Sequence, residues 1–221
     1  MNAMKMLAKQ VGFTGASALF CAIPLGLGGC SALQAPPSRA VFDFGPGATP
    51  AQADQQAARA VLVLDRVRAL AAWEGTAMQY RLAYTDAHQL RAYALARWSM
   101  APGELLHQRI REQLGASRTV LADGQGVPIP DGSLRLTLEL EEFSQVFDNA
   151  QRSGGLVRVQ ATLAQRHSGG ERWLAQRSFA VQRPSATPDA SGGAQALRSA
   201  TDALAEELAA WLLAQQASVA R

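Results

Sequence analysis

The chain has 221 residues, 48% of them hydrophobic, enough for one folded domain with a substantial core. Its formal charge of +3 at pH 7 is small, and its arginines are interleaved with acids rather than massed, which argues against a nucleic-acid surface. Two cysteines and three histidines supply neither a disulfide framework nor a cluster at metal-ligand spacing.

The chain opens on a leader. Lys5 and Lys9 precede an uncharged stretch from Val11 to Gly29, broken by Gly12, Gly15, Pro24, Gly26, Gly28 and Gly29. A positive start, a short apolar run and small residues at its end are the layout of a secretory signal peptide, here residues 1–29. A permanent membrane span would need about 20 mostly apolar residues with fewer breakers. Leu27-Gly28-Gly29-Cys30 resembles the bacterial lipobox, a leucine and two small residues directly before a cysteine. In such signals the thiol is acylated and the chain is cut just before it, and small residues let the peptide lie extended in the protease groove. Cys21 leaves with the leader, so Cys30 would be the one thiol of the mature chain, without a disulfide partner. No histidine lies near it in sequence to activate a catalytic thiol. Cys30 is therefore expected to be a lipid attachment, its covalent acyl chains standing where a cofactor would. More than one chain supplies the multiple anchoring that stable membrane attachment requires. Ser31 follows, where similar lipoproteins kept at the inner membrane often carry aspartate. The expected location is thus the periplasmic face of the outer membrane.

Loss of 29 of 221 residues leaves 192, and removes Lys5 and Lys9 but no acid, so 19 arginines then face 18 acids. The mature charge is close to neutral. Residues 30–58 carry Pro36, Pro37, Pro46 and Pro50 with glycines between, which reads as a lipidated N-terminus and extended tether. A single domain is expected over 59–221.

Within that domain "RAVLVLDRVRAL" (59–70) is short and rich in Val and Leu, a buried strand. "AMQYRLAY" (77–84) and "LRAYALARW" (90–98) flank "TDAHQ", with Asp86 as turn former, and read as a hairpin. A helix follows from Pro102 to Gly115, with Glu104 at its positive end and Leu106, Ile110 and Leu114 as one apolar stripe. "SRTVLA" (117–122) is a further strand. "SLRLTLELEEF" alternates most clearly, Leu134, Leu136, Leu138 and Leu140 against Arg135, Thr137, Glu139 and Glu141. "GLVRVQATLAQR" and "ERWLAQRSFAVQR" repeat the pattern, so the three predict an antiparallel meander. After the loop "PSATPDASGG", a helix from about Ala194 to Gln216 carries Leu197, Thr201, Leu204, Leu208, Trp211 and Leu212 at helical spacing. The predicted class is α+β: a largely antiparallel sheet with two amphipathic helices packed on one face.

Chemistry is sparse. His88, His107 and His167 fall in a turn, on a helix and beside a Gly-Gly turn, with no second ligand at metal spacing. No Gly-x-Ser-x-Gly elbow is present. "DGQGVPIPDG" places prolines where a phosphate cradle needs backbone donors, and Glu139 and Glu141 lie on the wet face of a strand. No catalytic or metal site is nominated. Trp98, Trp173 and Trp211 are expected in the core. Trp73, after Ala71-Ala72 in a loop-like stretch, is the candidate for a partner surface, where aromatic residues are favoured.

Residues 59–114 carry a family resemblance. A buried strand is followed by Tyr80-Arg81, a hairpin, Tyr93, Trp98, Pro102 and an amphipathic helix, and Phe42, Phe44 and Pro46 stand where Tyr-x-Leu-x-Pro is commoner. This order resembles the ABC-type transport auxiliary lipoproteins, from the lipobox through the terminal helix. The resemblance implies a non-enzymatic periplasmic α/β domain that serves an Mce-domain or paraquat-inducible system moving lipids between membranes. It also implies a homo-oligomer. Expected partners are thus the membrane through the anchor, an Mce-domain transport protein and further copies of the chain, with no nucleic acid. The competing readings are a periplasmic lipid-binding carrier or chaperone, which needs an apolar cavity, and an envelope hydrolase, for which no residue stands out.

Overall fold

A computed structural model describes residues 38–47, 60–122 and 126–219. Leu27, Gly28, Gly29 and Cys30 lie outside the described residues, as does much of the stretch assigned to the tether. The strands are β1 (Ala40–Phe42), β2 (Val61–Leu64), β3 (Arg68–Ala69), β4 (Ala77–Leu82), β5 (Ala87–Trp98), β6 (Thr119–Ala122), β7 (Leu134–Phe147), β8 (Ser153–His167) and β9 (Gly170–Pro184). The helices are α1 (Ala83–Asp86), α2 (Pro102–Gly115) and α3 (Ala190–Val219), with a 3-10 turn at Ala71–Trp73.

β7 is the spine. Along one side it pairs with antiparallel β8, which in turn carries β9, so the expected meander is present. Along the other side it meets β2, β3 and β4 in succession, all parallel to it. β6 extends β2 in parallel, β5 returns antiparallel to β4, and β1 runs parallel to β5. The sheet is therefore mixed, with the long antiparallel ladders making most of its pairs. β2 is an apolar run of four residues without alternation and β3 is only Arg68 and Ala69, and neither carries a signal of direction.

The alternation in β7 works as the sequence reading expects. Leu134, Leu136, Leu138 and Leu140 are buried against Val157, Val159, Ala161 and Leu163 of β8 and Phe179 and Val181 of β9. Leu106, Ile110 and Leu114 of α2, and Leu197, Leu204, Leu208 and Leu212 of α3, complete the same core. Each such side chain contributes roughly 1.5–3 kcal/mol by leaving water. Both helices lie on this face and are tied together by Arg109 of α2, whose Nε donates to Asp202 of α3 at 2.5 Å. Between Leu140 and Glu142 a bulge shifts the register, and Phe143 turns inward to meet Trp98 at 5.4 Å between ring centroids.

Two boundaries differ from the sequence reading. Residues 40–44, assigned to the tether, belong to the domain: β1 pairs with β5, and Phe44 is 6% exposed, edge-on to Trp98 at 6.0 Å. The aromatic residues of "AVFDFGP" are thus a core contribution. α3 begins at Ala190 rather than near Ala194. Asp189 caps it, accepting from the Gly192 N–H through its carboxylate at 2.8 Å and from the Gly193 N–H through its carbonyl at 2.9 Å. Gly192 and Gly193 read as loop residues, yet a Cβ at either would collide with Thr187 or with Gln145. They allow the first turn of α3 to lie against the sheet.

Candidate interaction surfaces

Beyond the β4–β7 ladder, an ion pair fastens the hairpin β4–β5 to β7. Arg81 binds Glu142 with two parallel bonds, Nε to Oε1 at 3.1 Å and Nη2 to Oε2 at 2.9 Å. Its Nη1 donates to the carbonyls of Ala87 and His88, both at 3.3 Å, and Ser144 donates to Glu142 at 2.6 Å. Such a bidentate pair fixes direction as well as distance. On the other face Tyr80 and Tyr93 pack at 4.6 Å, Tyr80 meets Phe147 edge-on at 5.9 Å, and the Tyr93 hydroxyl donates to Gln145 at 2.8 Å. Burial, then the neighbouring Tyr80 and Asp189, hold the Tyr93 phenol protonated well above its ordinary range.

The residues that carry the family resemblance therefore have structural tasks. Tyr80 and Tyr93 stack, Arg81 locks the hairpin, Trp98 is fully buried, and Pro102 opens α2 at its first turn. What the hairpin leaves exposed lies elsewhere on it: Tyr84 in α1 and Leu95 on β5 are each about half exposed.

The sheet face opposite the helices is polar. Arg135 lies between Asp65 at 2.5 Å and Glu171 at 2.7 Å, Thr137 donates to Asp65 at 2.6 Å, and Arg158 pairs with Glu141 at 3.0 Å. Asp65, Arg135, Thr137 and Glu171, with Arg66 and Arg68, line an open cleft of about 460 Å³. Arg66 and Arg68 are only loosely paired, with Glu104 at 3.4 Å and Glu139 at 4.0 Å, in exposed contacts that contribute about 0–1 kcal/mol. A second cleft of about 200 Å³, lined by Asp43, Phe44, Met100, Leu105, Arg109 and Glu112 among others, lies between α2 and the segment after β1. That is below the roughly 300–1,000 Å³ of an ordinary ligand pocket.

Two tryptophans exchange the positions expected of them. Trp73, expected at a partner surface, is 2% exposed, and its indole N–H donates to the Glu141 carbonyl at 3.0 Å. Its loop-like neighbours form a 3-10 turn that tucks the ring against β7 between β3 and β4, so it offers no face to a partner. Trp173, expected in the core, is 64% exposed on β9. The cause is a bulge: Leu163 pairs with Ala175 but Ala164 pairs with Trp173, so Leu174 is the extra residue. One inserted residue sends every side chain beyond it to the opposite face. The signal in the sequence is "WLA", where the strict alternation of "QRSFAVQ" lapses.

His88, His107 and His167 lie on β5, α2 and β8. Among the described residues no group of three or more His, Cys, Asp or Glu side chains is placed to hold a metal. Burial holds the His107 imidazole below its ordinary value, against the opposing influence of Glu104. Among the described residues no helix is long and apolar enough to cross a membrane.

The described surface thus combines a polar open sheet face, a locked hairpin and two modest clefts. The chain belongs to the ABC-type transport auxiliary lipoprotein component family, whose model matches residues 42–209. That family is one of transport accessories rather than of catalysts, and its lipoprotein character makes the protein membrane-associated. The fold is also that of the crystal structure of XCC0632 from Xanthomonas campestris, a DUF330 protein. The two are 20% identical with a TM-score of 0.65, over 81% of this chain and 98% of that one. A second crystal structure, of an uncharacterized protein, is 12% identical with a TM-score of 0.58, over 79% and 99%. No curated protein matches the chain in sequence.

Proposed function

We propose that this protein is a non-enzymatic docking subunit of an Mce-type ABC or paraquat-inducible lipid transport system. Acyl chains on Cys30 would tie it to the periplasmic face of the outer membrane, and the domain would self-associate. The family match over residues 42–209 carries this reading. A lipid anchor confines the domain to a thin layer at one membrane, which raises its effective concentration for a conduit arriving from the other. The polar sheet face and the exposed hairpin residues Tyr84 and Leu95 suit a reversible contact better than storage of a lipid, for which the two clefts described are too small or too polar. The test is crosslinking in intact envelopes, detergent extraction of the tagged full-length protein and mass spectrometry of what accompanies it. Co-purification of an Mce-domain protein, reduced by Tyr84→Ala with Leu95→Ala, is the expected outcome. Recovery of the protein alone, or with an unrelated outer-membrane machine, would sink the assignment.

A further inference from the structure

The free edge of β9 points to a specific occupant. β9 has 15 residues and pairs only with β8 among the described strands, while Trp173 stands exposed at one end of it. Which of its backbone groups are free follows from one hydrogen bond. The Ser185 N–H donates to the Ser153 carbonyl at 2.9 Å, and the register then holds unbroken from Gly154↔Pro184 to Leu163↔Ala175. Backbone direction alternates along a strand, so Ala175, Arg177, Phe179, Val181 and Arg183 face β8. Gln176, Ser178, Ala180 and Gln182 direct their N–H and C=O groups outward. Pro184 falls in the same outward set, where a missing N–H does no harm.

We propose that a second copy of this chain pairs with this edge, antiparallel, about a two-fold axis at Phe179. That register sets Ser178 opposite Ala180 and Gln176 opposite Gln182, so all four outward residues find partners and about eight backbone bonds form. Arg177 then faces Val181, and Arg183 faces Ala175. A centre at Ala180 would instead oppose Arg177 to Arg183, and a centre at Arg177 would oppose it to itself, and like charges directly across a ladder are destabilising. A centre at Ser178 would pair Gln182 with the bulged Leu174.

The helices fit the same arrangement. α3 covers β8 and β9, with Trp211 on Phe179 at 5.7 Å and the Leu197 backbone against Gly155. In the joined sheet the centres of the two β8–β9 pairs lie two strand spacings apart, roughly 10 Å. Two helices pack at 8–10 Å when the residues between them are small. Asp202 fixes the flank of α3 that faces α2, and by helical spacing the flank above the β9 edge carries Ala196, Ala203, Glu207 and Ala214, three small residues and one exposed glutamate. Trp173 of each copy comes to the Pro184 end of the other strand, which covers part of its indole.

This pairing rests on the self-association proposed above and names its surface. The test uses the full chain in detergent with C21S and C30S, so that no native thiol competes. A175C and R183C, which the register sets opposite one another, are oxidised singly and mixed. The mixture is expected to crosslink several-fold more than either alone. A180P removes an outward N–H and leaves the ladder bonds to β8 in place, and is expected to give a monomer in sedimentation with a urea midpoint close to that of the parent. Equal crosslinking in all three samples, or an A180P protein that stays associated, would overturn the β9 pairing while leaving self-association by another surface. A parent protein that is monomeric at all concentrations would overturn both. If A180P does not fold, the crosslinking comparison decides.

Discussion

At the scale of single residues the chain spends its buried charges on fastening. Glu142 is 7% exposed and accepts from both Arg81 and Ser144, so either partner left alone would be a charge with little water around it. Breaking such a pair by removing one member costs about 3 kcal/mol, whereas replacing both by apolar residues costs far less. Arg81→Ala is therefore expected to lower the urea midpoint sharply, and Arg81→Met with Glu142→Leu to recover much of the loss. His107 gives a different signature. Burial depresses its pKa in the folded chain below the ordinary imidazole value of about 6.5. The unfolded chain then binds the extra proton first as pH falls, so His107 contributes a loss of stability that starts near pH 6.5 and stops growing below the depressed folded value. His107→Gln should flatten the dependence of the urea midpoint between pH 7 and 5. An unchanged slope would assign the acid sensitivity elsewhere.

At the scale of elements the decisive contacts are backbone approaches. A Cβ on Gly155 would sit 2.5 Å from the Leu197 backbone nitrogen, and backbone does not yield as a side chain can. Gly155→Ala should push α3 off β8 and cost about 3 kcal/mol, the upper part of the usual range for overpacking. Gly115→Ala is the matched control, since nothing lies within 4 Å of its added carbon, and it should be neutral or stabilise by about 0.5–1 kcal/mol at the helix end. Thermal unfolding of the two variants side by side distinguishes a contact effect from loss of glycine as such. The same closeness explains why Gly192 and Gly193 were legible only as loop formers: their composition announces a turn, while their use is to let a helix start against a sheet.

At the scale of the whole molecule the proposed anchor at Cys30 and the domain are separable tasks. Cys30→Ser should leave the urea transition of the domain unchanged and abolish incorporation of labelled fatty acid into the protein. If labelled acyl chains are still incorporated, Cys30 is not the attachment. The domain itself is organised around β7, which receives the long meander on one side and three short strands on the other.

What the sequence determined by itself is whatever local chemistry dictates. Alternation specified the faces of β7 and β8, apolar periodicity specified the stripes of α2 and α3, and the order of Tyr80, Arg81, Tyr93, Trp98 and Pro102 specified the family. Only the tertiary structure decided the rest. Direction of the short strands, the insertion of β1 into the sheet, the burial of Trp73 and the exposure of Trp173 all depend on contacts between segments distant in the chain. A tryptophan has the same composition and propensity whether a bulge at the next residue turns it in or out, so its fate is fixed by register, and register exists only once strands have paired.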